Sequence, residues 1–517
     1  MPRAHIEKRS RKMLKLAVRN TKKLIREKSK EENIRIGRFF TKRSTAALMA
    51  QMIEPSEAEH VTILDPGAGT GILSAALLER LCRAGHVKTI DLVCYENDAL
   101  MLPMLKNNLP RLRRKCRHDY GVRLNFRIEE TNFILAAKDL IDNNLFTACA
   151  DRYDYVIMNP TSELMAKDSP EVLALGDLAA GATDLAFLFA TLAMASLKEG
   201  GMMAALLPTA YARGVYIERI RRFMEADAHI TSMHLFSAPS KREARPDETK
   251  SHMLLAWQKT PLPENATITV RCSEKEEDDA PVTTLPPFPY RRIVNEKTGA
   301  LLLIKSMEEA EVLDRVDSLP ETLESLGLKM RTGLTLESRY PDSLRTSATD
   351  GAIPLIHPRN IAFGMIRLPT EKYIIPVIPS LAQKNKNMLF IKRVPAKKDH
   401  RHLMCGVYLA SLLPRFPMIS TQNKLNYIDF ADPKKEMDSA FLHGLYAVLS
   451  SDLYEQYCCI LSKSHQINAT EYGNLPLPDE KTMRDIGSKI LMSRQLSPHA
   501  CSVLVQNALR AKRSPFV

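Results

Sequence analysis

"ILDPGAGTGILSAALLERL", residues 63 to 81, is the stretch on which the fold turns. A short apolar run ends in Asp65, three glycines follow at Gly67, Gly69 and Gly71, and a helical pattern of apolar residues starts at about Ile72. This reads as a buried strand that turns sharply into a helix. Glycines in such a turn permit positive φ and let a ligand approach the backbone closely. The spacing is G-x-G-x-G, whereas the dinucleotide-binding fingerprint is G-x-G-x-x-G.

Outward from this loop, apolar runs alternate with helical segments, the pattern of a parallel sheet covered by helices on both faces. The runs "VTILD" (61–65), "DLVCYE" (91–96), "RLNFRIEE" (123–130), "YDYVIMN" (153–159), "GMMAALLP" (201–208), "ITSMHLF" (230–236) and "HMLLAWQ" (252–258) supply seven strands. The expected class is α/β, with a seven-stranded Rossmann-like sheet over residues 31–262. Residues 263–296, which include "EKEEDDAPVTTLPPFPYRR", replace periodicity with charge and proline and are expected to be a linker. Residues 297–517 mix helices, among them "SAFLHGLYAVLSSDLYEQYCCILS" (439–462), with short strands, as a mixed α+β domain would.

The bulk properties are those of a folded protein with a polyanionic partner. The chain has 517 residues, 45% hydrophobic and 26% charged, which excludes a fibrous or largely disordered chain. A net charge of +13 favours a partner rich in phosphates, because basic side chains displace its counterions. The nine cysteines contain no C-x-x-C pair and read as reduced thiols, with no metal site expected. No secretory h-region and no apolar run of about 18 residues are present, so the expectation is a cytoplasmic protein that does not meet the membrane. Residues 1–30 are expected to form a basic helix with Met13, Leu14, Leu16, Ala17, Val18, Leu24 and Ile25 on one side. It is either an arm for DNA or a partner, or a helix packed on the domain by that stripe.

Four further stretches carry chemistry. Glu96 closes the strand after the glycine loop, where an acid meets ribose hydroxyls in doubly wound sheets. "IGRFFTKRSTAALMAQM" (36–52) precedes the loop, and "EETNFIL" follows the third strand with Asn132 and Phe133. "YDYVIMNPTSEL" (153–164) runs a strand into Asn159, Pro160, Thr161 and Ser162.

In this order the stretches resemble the gamma-class N6-adenine DNA methyltransferases of restriction-modification systems, the PstI-like modification methylases. "DPGAGTG" resembles the family's motif I, and Gly37, Phe39, Phe40 and Thr41 match its motif X, with Lys42 where proline is common. The resemblance implies S-adenosyl-L-methionine as cofactor, held by Gly37, Phe39, Phe40, Thr41, Asp65, Gly67, Gly69, Gly71, Glu96, Asn132 and Phe133. It implies that Asn159 and the Pro160 carbonyl accept hydrogen bonds from the target amino group. The family's loop is [N/D/S]-P-P-[Y/F/W]; here Thr161 replaces the second proline and Ser162 the aromatic that stacks on an extruded base. Tyr153, Tyr155 and Phe236 are the candidate substitutes for it.

"GAIPLIHPRNIAFGMIRLP" (351–369) and "SHQINATEYGNLPLP" (464–478) are similar to the family's C-terminal target-recognition region. That implies binding to double-stranded DNA, for which Arg331, Lys424, His465, Gln466 and Asn468 are candidates, and a cognate restriction endonuclease as partner. Two alternatives stay open: a SAM- and DNA-binding subunit impaired in turnover, and methylation of an amino group on RNA or a protein amide.

Overall fold

The computed structural model describes residues 12–26, 41–136, 152–176, 179, 183–236, 251–274, 280–368, 371–394, 401–461, 467, 469 and 472–513. The chain divides into two compact units, Met1–Lys305 and Ser306–Val517.

The first unit opens with helix α1 (Lys12–Arg26), then α2 (Arg43–Gln51) and β1 (His60–Asp65), followed by α3 (Ile72–Ala84) and β2 (Thr89–Tyr95). Next come α4 (Leu102–Tyr120), β3 (Arg123–Glu129) and β4 (Tyr153–Met158), then α5 (Pro170–Leu175), α6 (Leu185–Ala195) and β5 (Leu197–Pro208). Helix α7 (Glu218–Ala226), β6 (His229–Phe236), β7 (His252–Gln258), β8 (Thr267–Ser273), β9 (Val282–Thr284) and β10 (Phe288–Pro289) follow, and a single helical turn, Tyr290–Ile293, comes after them. Each of the seven expected strands forms, in the spatial order β3-β2-β1-β4-β5-β7-β6. These seven strands are parallel except for β7, which runs antiparallel to β5 and to β6. Chain order reverses between β1 and β4, and the crevice beyond the carboxyl ends of strands at such a switch point is where doubly wound sheets bind ligands.

Helix packing follows from the residue pattern. Helix α6, "LAFLFATLAMA", is buried on every side and so is apolar all round. One of its free N-terminal donors is met by Asp184, whose side chain accepts from the Ala186 N–H at 3.1 Å. Helix α1 buries Met13, Leu14, Ala17 and Val18 against α3 and α4, as the packed-stripe alternative requires, while Lys15, Arg19, Lys22, Lys23 and Arg26 face outward.

Residues 263–296 do not form a linker. Thr267–Ser273 is an eighth strand, parallel to β6, and Phe288–Pro289 pairs with it in turn. Prolines and charges mask a strand whose inward residues, Ile268 and Val270, are both fully buried. The unit boundary falls later, at Lys305/Ser306.

The second unit holds a six-stranded sheet, a five-stranded sheet and five helices among the described residues: α8 (Met307–Asp317), α9 (Ser439–Ser450), α10 (Asp452–Leu461), α11 (Glu480–Ser493) and α12 (Pro498–Arg513). The 439–462 stretch is two helices because Ser451 takes an extended ψ of 156° between them. Helices α9 and α11 meet at glycines. A Cβ on Gly487 would stand 1.8 Å from the Ala440 carbonyl oxygen and one on Gly444 1.9 Å from that of Met483, so only hydrogen fits at either position.

Candidate active site

The glycine loop joins the buried carboxyl end of β1 to α3. Gly69 and Gly71 adopt φ of 55° and 79°, in the left-handed region, and Gly71 is the residue from which α3 starts. The loop is fixed residue by residue. Ala68 N–H donates to the Tyr95 carbonyl (2.9 Å), Gly69 N–H to the Glu96 carboxylate (2.7 Å), and Gly71 N–H to the Ala68 carbonyl (2.8 Å). Glu96 thus buckles the loop to the end of β2, and its other oxygen accepts from the N–H groups of Asn97 and Asp98. Burial raises the Glu96 carboxyl above its usual range, against those three hydrogen bonds.

Asp65 is fully buried at the root of the loop. One carboxyl oxygen accepts from the Ser74 hydroxyl at 2.6 Å, and the other has no partner among the described residues. Burial pushes its pKa up to about 7. A buried acid with an unused oxygen beneath a glycine cradle suits a cationic ligand, which would draw the acid back to its ionised form.

Asn159 leaves the carboxyl end of β4 half-buried, and its side-chain N–H donates to the Thr41 hydroxyl at 3.0 Å. An amide whose nitrogen is engaged presents its carbonyl oxygen as the remaining acceptor. Thr41, Gly67, Ala68, Gly69, Thr70, Met101 and Asn159 line one cleft, so the structure brings together three motifs that are far apart in sequence. A broader groove, lined in part by Asp154, Glu199 and Arg271, opens where β4 and β5 begin, remote from the loop.

Beyond Asn159 the loop is braced. The Ser162 hydroxyl donates to the Asp184 carboxylate at 2.9 Å, the same side chain that caps α6. Met165 N–H donates to the Thr183 carbonyl and Leu185 N–H to that of Glu163, both at 2.8 Å. Ser162 is thereby tied to the residue that caps α6. Sequence reasoning passed over Asp184, although an acid directly before "LAFLFATLAMA" is an N-cap signal.

Asn132 and Phe133, expected to help hold the cofactor, find their partners within the chain. The Asn132 carbonyl accepts from the Ile134 N–H (2.9 Å) to cap a short turn, and its amide nitrogen donates to Glu171 (3.1 Å). Phe133 is 5% exposed and packs between Tyr95 and Phe189, with ring centroids 5.1 and 5.6 Å away. An apolar ring flanked by two others is held in the core, not open to stack on a base. Tyr153 and Tyr155 are buried on the sheet, and the Tyr155 hydroxyl accepts from the Ser56 N–H, so neither is a stacking platform. Phe236 is half-buried against the His234 ring.

Gly37, Phe39 and Phe40 lie outside the described residues, as do His465, Gln466 and Asn468. In the second unit Arg331 is tied to Asp429 by an ion pair across two paired strands. Lys424 is exposed on a turn.

No protein-family model matches the sequence. The chain is 25% identical over 465 residues to the type II methyltransferase M.PstI of Providencia stuartii, covering 88% of this chain and 89% of that protein. It resembles type II methyltransferases along nearly its whole length. The type II methyltransferase M.BsuBI of Bacillus subtilis is 23% identical over 473 residues, 88% of this chain and 90% of its own. These relatives bear out the resemblance to restriction-modification methyltransferases drawn from the motifs. Among solved structures, the type IIL restriction-modification enzyme MmeI in complex with DNA aligns with a TM-score of 0.50 at 12% identity, over 99% of this chain and 76% of that one. That likeness is one of fold. No helix among the described residues is long and apolar enough to cross a membrane.

Proposed function

We propose that this protein methylates the N6 amino group of adenine at a short duplex sequence, using S-adenosyl-L-methionine, and protects that sequence from a cognate restriction endonuclease. The observation that carries the reading is the Thr41–Asn159 hydrogen bond, which engages the Asn159 amide nitrogen and leaves its carbonyl free to accept at the cleft that both residues line with the glycine loop. The cofactor supplies, when bound, a methyl carbon on a sulfonium that is open to displacement. Gly67 to Gly71 and Asp65 would hold its methionine end, with Glu96 positioning the loop and accepting from the ribose.

The chain's own work is orientation. The Asn159 side-chain carbonyl and the Pro160 backbone carbonyl accept from the two hydrogens of the target amino group. Both acceptors favour the nitrogen as its lone pair leaves conjugation with the ring and becomes nucleophilic. Alignment of this kind accounts for much of an enzymatic rate, since reacting atoms must be held in near-attack geometry. Thr161 removes one locked backbone angle from the loop, and the Ser162–Asp184 hydrogen bond supplies a constraint in its place. The missing aromatic lowers base capture: stacking on an aromatic contributes roughly 1–3 kcal/mol per base.

Incubation with cofactor labelled on the methyl group and with mixed-sequence duplex DNA tests the proposal. Label in N6-methyladenine is the expected outcome. Cofactor binding with no label in any adenine refutes the catalytic part and leaves the reading of a regulatory subunit, which Thr161→Pro with Ser162→Tyr would then activate. Label in RNA or in a protein glutamine would redirect the substrate.

A further inference from the structure

Helix α1 precedes every motif assigned to the site, yet a buried polar chain ties it to the glycine loop. The Asn20 side-chain N–H donates to the Asn108 carbonyl at 3.0 Å, and the Asn108 side-chain N–H donates to the Thr70 backbone carbonyl at 2.8 Å. Asn20 is 7% exposed and Asn108 1%. Thr21, fully buried, sits beside them: its hydroxyl donates to the Ala17 carbonyl and lies 3.5 Å from the Asn108 amide nitrogen. Thr70 is the residue between the two left-handed glycines. The loop's hydrogen bonds to Tyr95 and Glu96 fix its N–H groups from the β2 side. The Thr70 carbonyl is held from the opposite side, by α4, and Asn108 is in turn oriented by α1.

The docking of α1 is itself specific. Glu79 of α3 accepts from the N–H groups of Met13 and Leu14 at 2.9 and 3.0 Å, capping the start of the helix. At the other end Ile25 packs on Met101 and Met104, and Met101 lines the cofactor cleft. A helix serving only to cover apolar surface needs neither of the two buried polar side chains that α1 carries, Asn20 and Thr21, since each must find a partner or destabilise the fold.

We infer that α1 is a positioning element of the cofactor site, setting the Thr70 carbonyl and hence the glycine loop through the Asn20–Asn108 relay. This rests on the reading of the loop as a cofactor cradle. Asn108 without Asn20 can rotate its amide and offer oxygen, not nitrogen, to the Thr70 carbonyl, which places two acceptors together and pushes the loop out of register. Asn20 and Asn108 are positioning residues, because neither lines the cleft.

The test is binding of S-adenosylmethionine to the full-length chain by calorimetry, at a temperature well below the thermal midpoint of every variant. Asn108→Ala is expected to weaken binding about ten-fold and Asn20→Ala about three-fold, on the scale of one hydrogen bond removed. The double variant is expected to bind as Asn108→Ala alone does, since the two act in series. Val18→Ala, on the apolar side of the same helix, is expected to lower the midpoint and leave binding within about two-fold of the unaltered protein. Loss of binding that follows the midpoint in all variants, Val18→Ala included, overturns the relay, as does unchanged binding in Asn108→Ala. If the unaltered protein binds no S-adenosylmethionine, the cofactor reading fails first and this inference falls with it.

Discussion

Thr41→Val separates aim from presence at the active site. Valine keeps the shape of threonine and removes the hydroxyl that accepts the Asn159 N–H at 3.0 Å. The amide then lacks the partner that holds its nitrogen and can turn that nitrogen, a donor, toward the substrate amino group. A net intramolecular hydrogen bond contributes about 0.5–1.5 kcal/mol, and each ~1.36 kcal/mol is ten-fold in rate, so kcat is expected to fall about two- to ten-fold. Asn159→Ala, which removes the acceptor altogether, is expected to cost on the order of 10²-fold or more, as loss of a preorganised hydrogen-bonding group does. Transfer of labelled methyl groups to duplex DNA at saturating cofactor measures both. Because Thr41 also lines the cleft, cofactor affinity is measured separately, and Thr41→Ser should restore the rate. A Thr41→Val enzyme at full rate beside an inactive Asn159→Ala would refute the claim that Thr41 aims the amide. Full activity of Asn159→Ala would remove Asn159 from the reaction.

Asp65 gives a pH signature. Its folded pKa of about 7 stands above the ordinary 3.8, so the folded state holds a proton that the unfolded state releases. Stability from this group is complete below about pH 4 and declines as pH rises to about 7, by up to ~4 kcal/mol before relaxation of the site. Asp65→Asn is expected to be about as stable as the unaltered chain at about pH 4 and more stable at about pH 8 in urea titrations; equal stability at both would show the carboxyl is not protonated in the fold. Lys22, Lys23 and Arg26 face outward from α1, and replacing all three with glutamine should reduce the salt dependence of DNA binding by about 0.9 in log–log slope for each phosphate no longer neutralised. An unchanged slope would mean the helix does not meet the DNA backbone. Gly487→Ala puts a Cβ 1.8 Å from a backbone oxygen of α9 and forces the helices apart; thermal melting should show a loss of at least ~1–3 kcal/mol, and a native midpoint would contradict the close crossing.

Much of the molecule follows from the chain read in one dimension. From β1 to β3 and from β4 to β6 strands and helices alternate because each strand is apolar and each helix amphipathic or wholly apolar, the pattern of a doubly wound sheet. The glycines at positions 69 and 71 are legible for the same kind of reason: positive φ is a local demand, met by a residue without a side chain. The strand at Thr267–Ser273 is not legible, since its neighbours are proline and charge and only pairing with β6 makes it a strand. Phe133 likewise reads the same whether it stacks on a ligand or packs between Tyr95 and Phe189.

What the tertiary structure alone decided is which polar atoms face each other. Thr41 and Asn159 are 118 residues apart, Asn20 and Asn108 88 apart, and Ser162 and Asp184 22 apart. No periodicity or local propensity encodes such pairs, because a hydrogen bond depends on the placement of two atoms to within a fraction of an ångström, which the packing of the whole sheet and its helices sets. The sequence determined that a cleft would form where β1 turns into α3. The fold determined that Thr41 and Asn159 line it together.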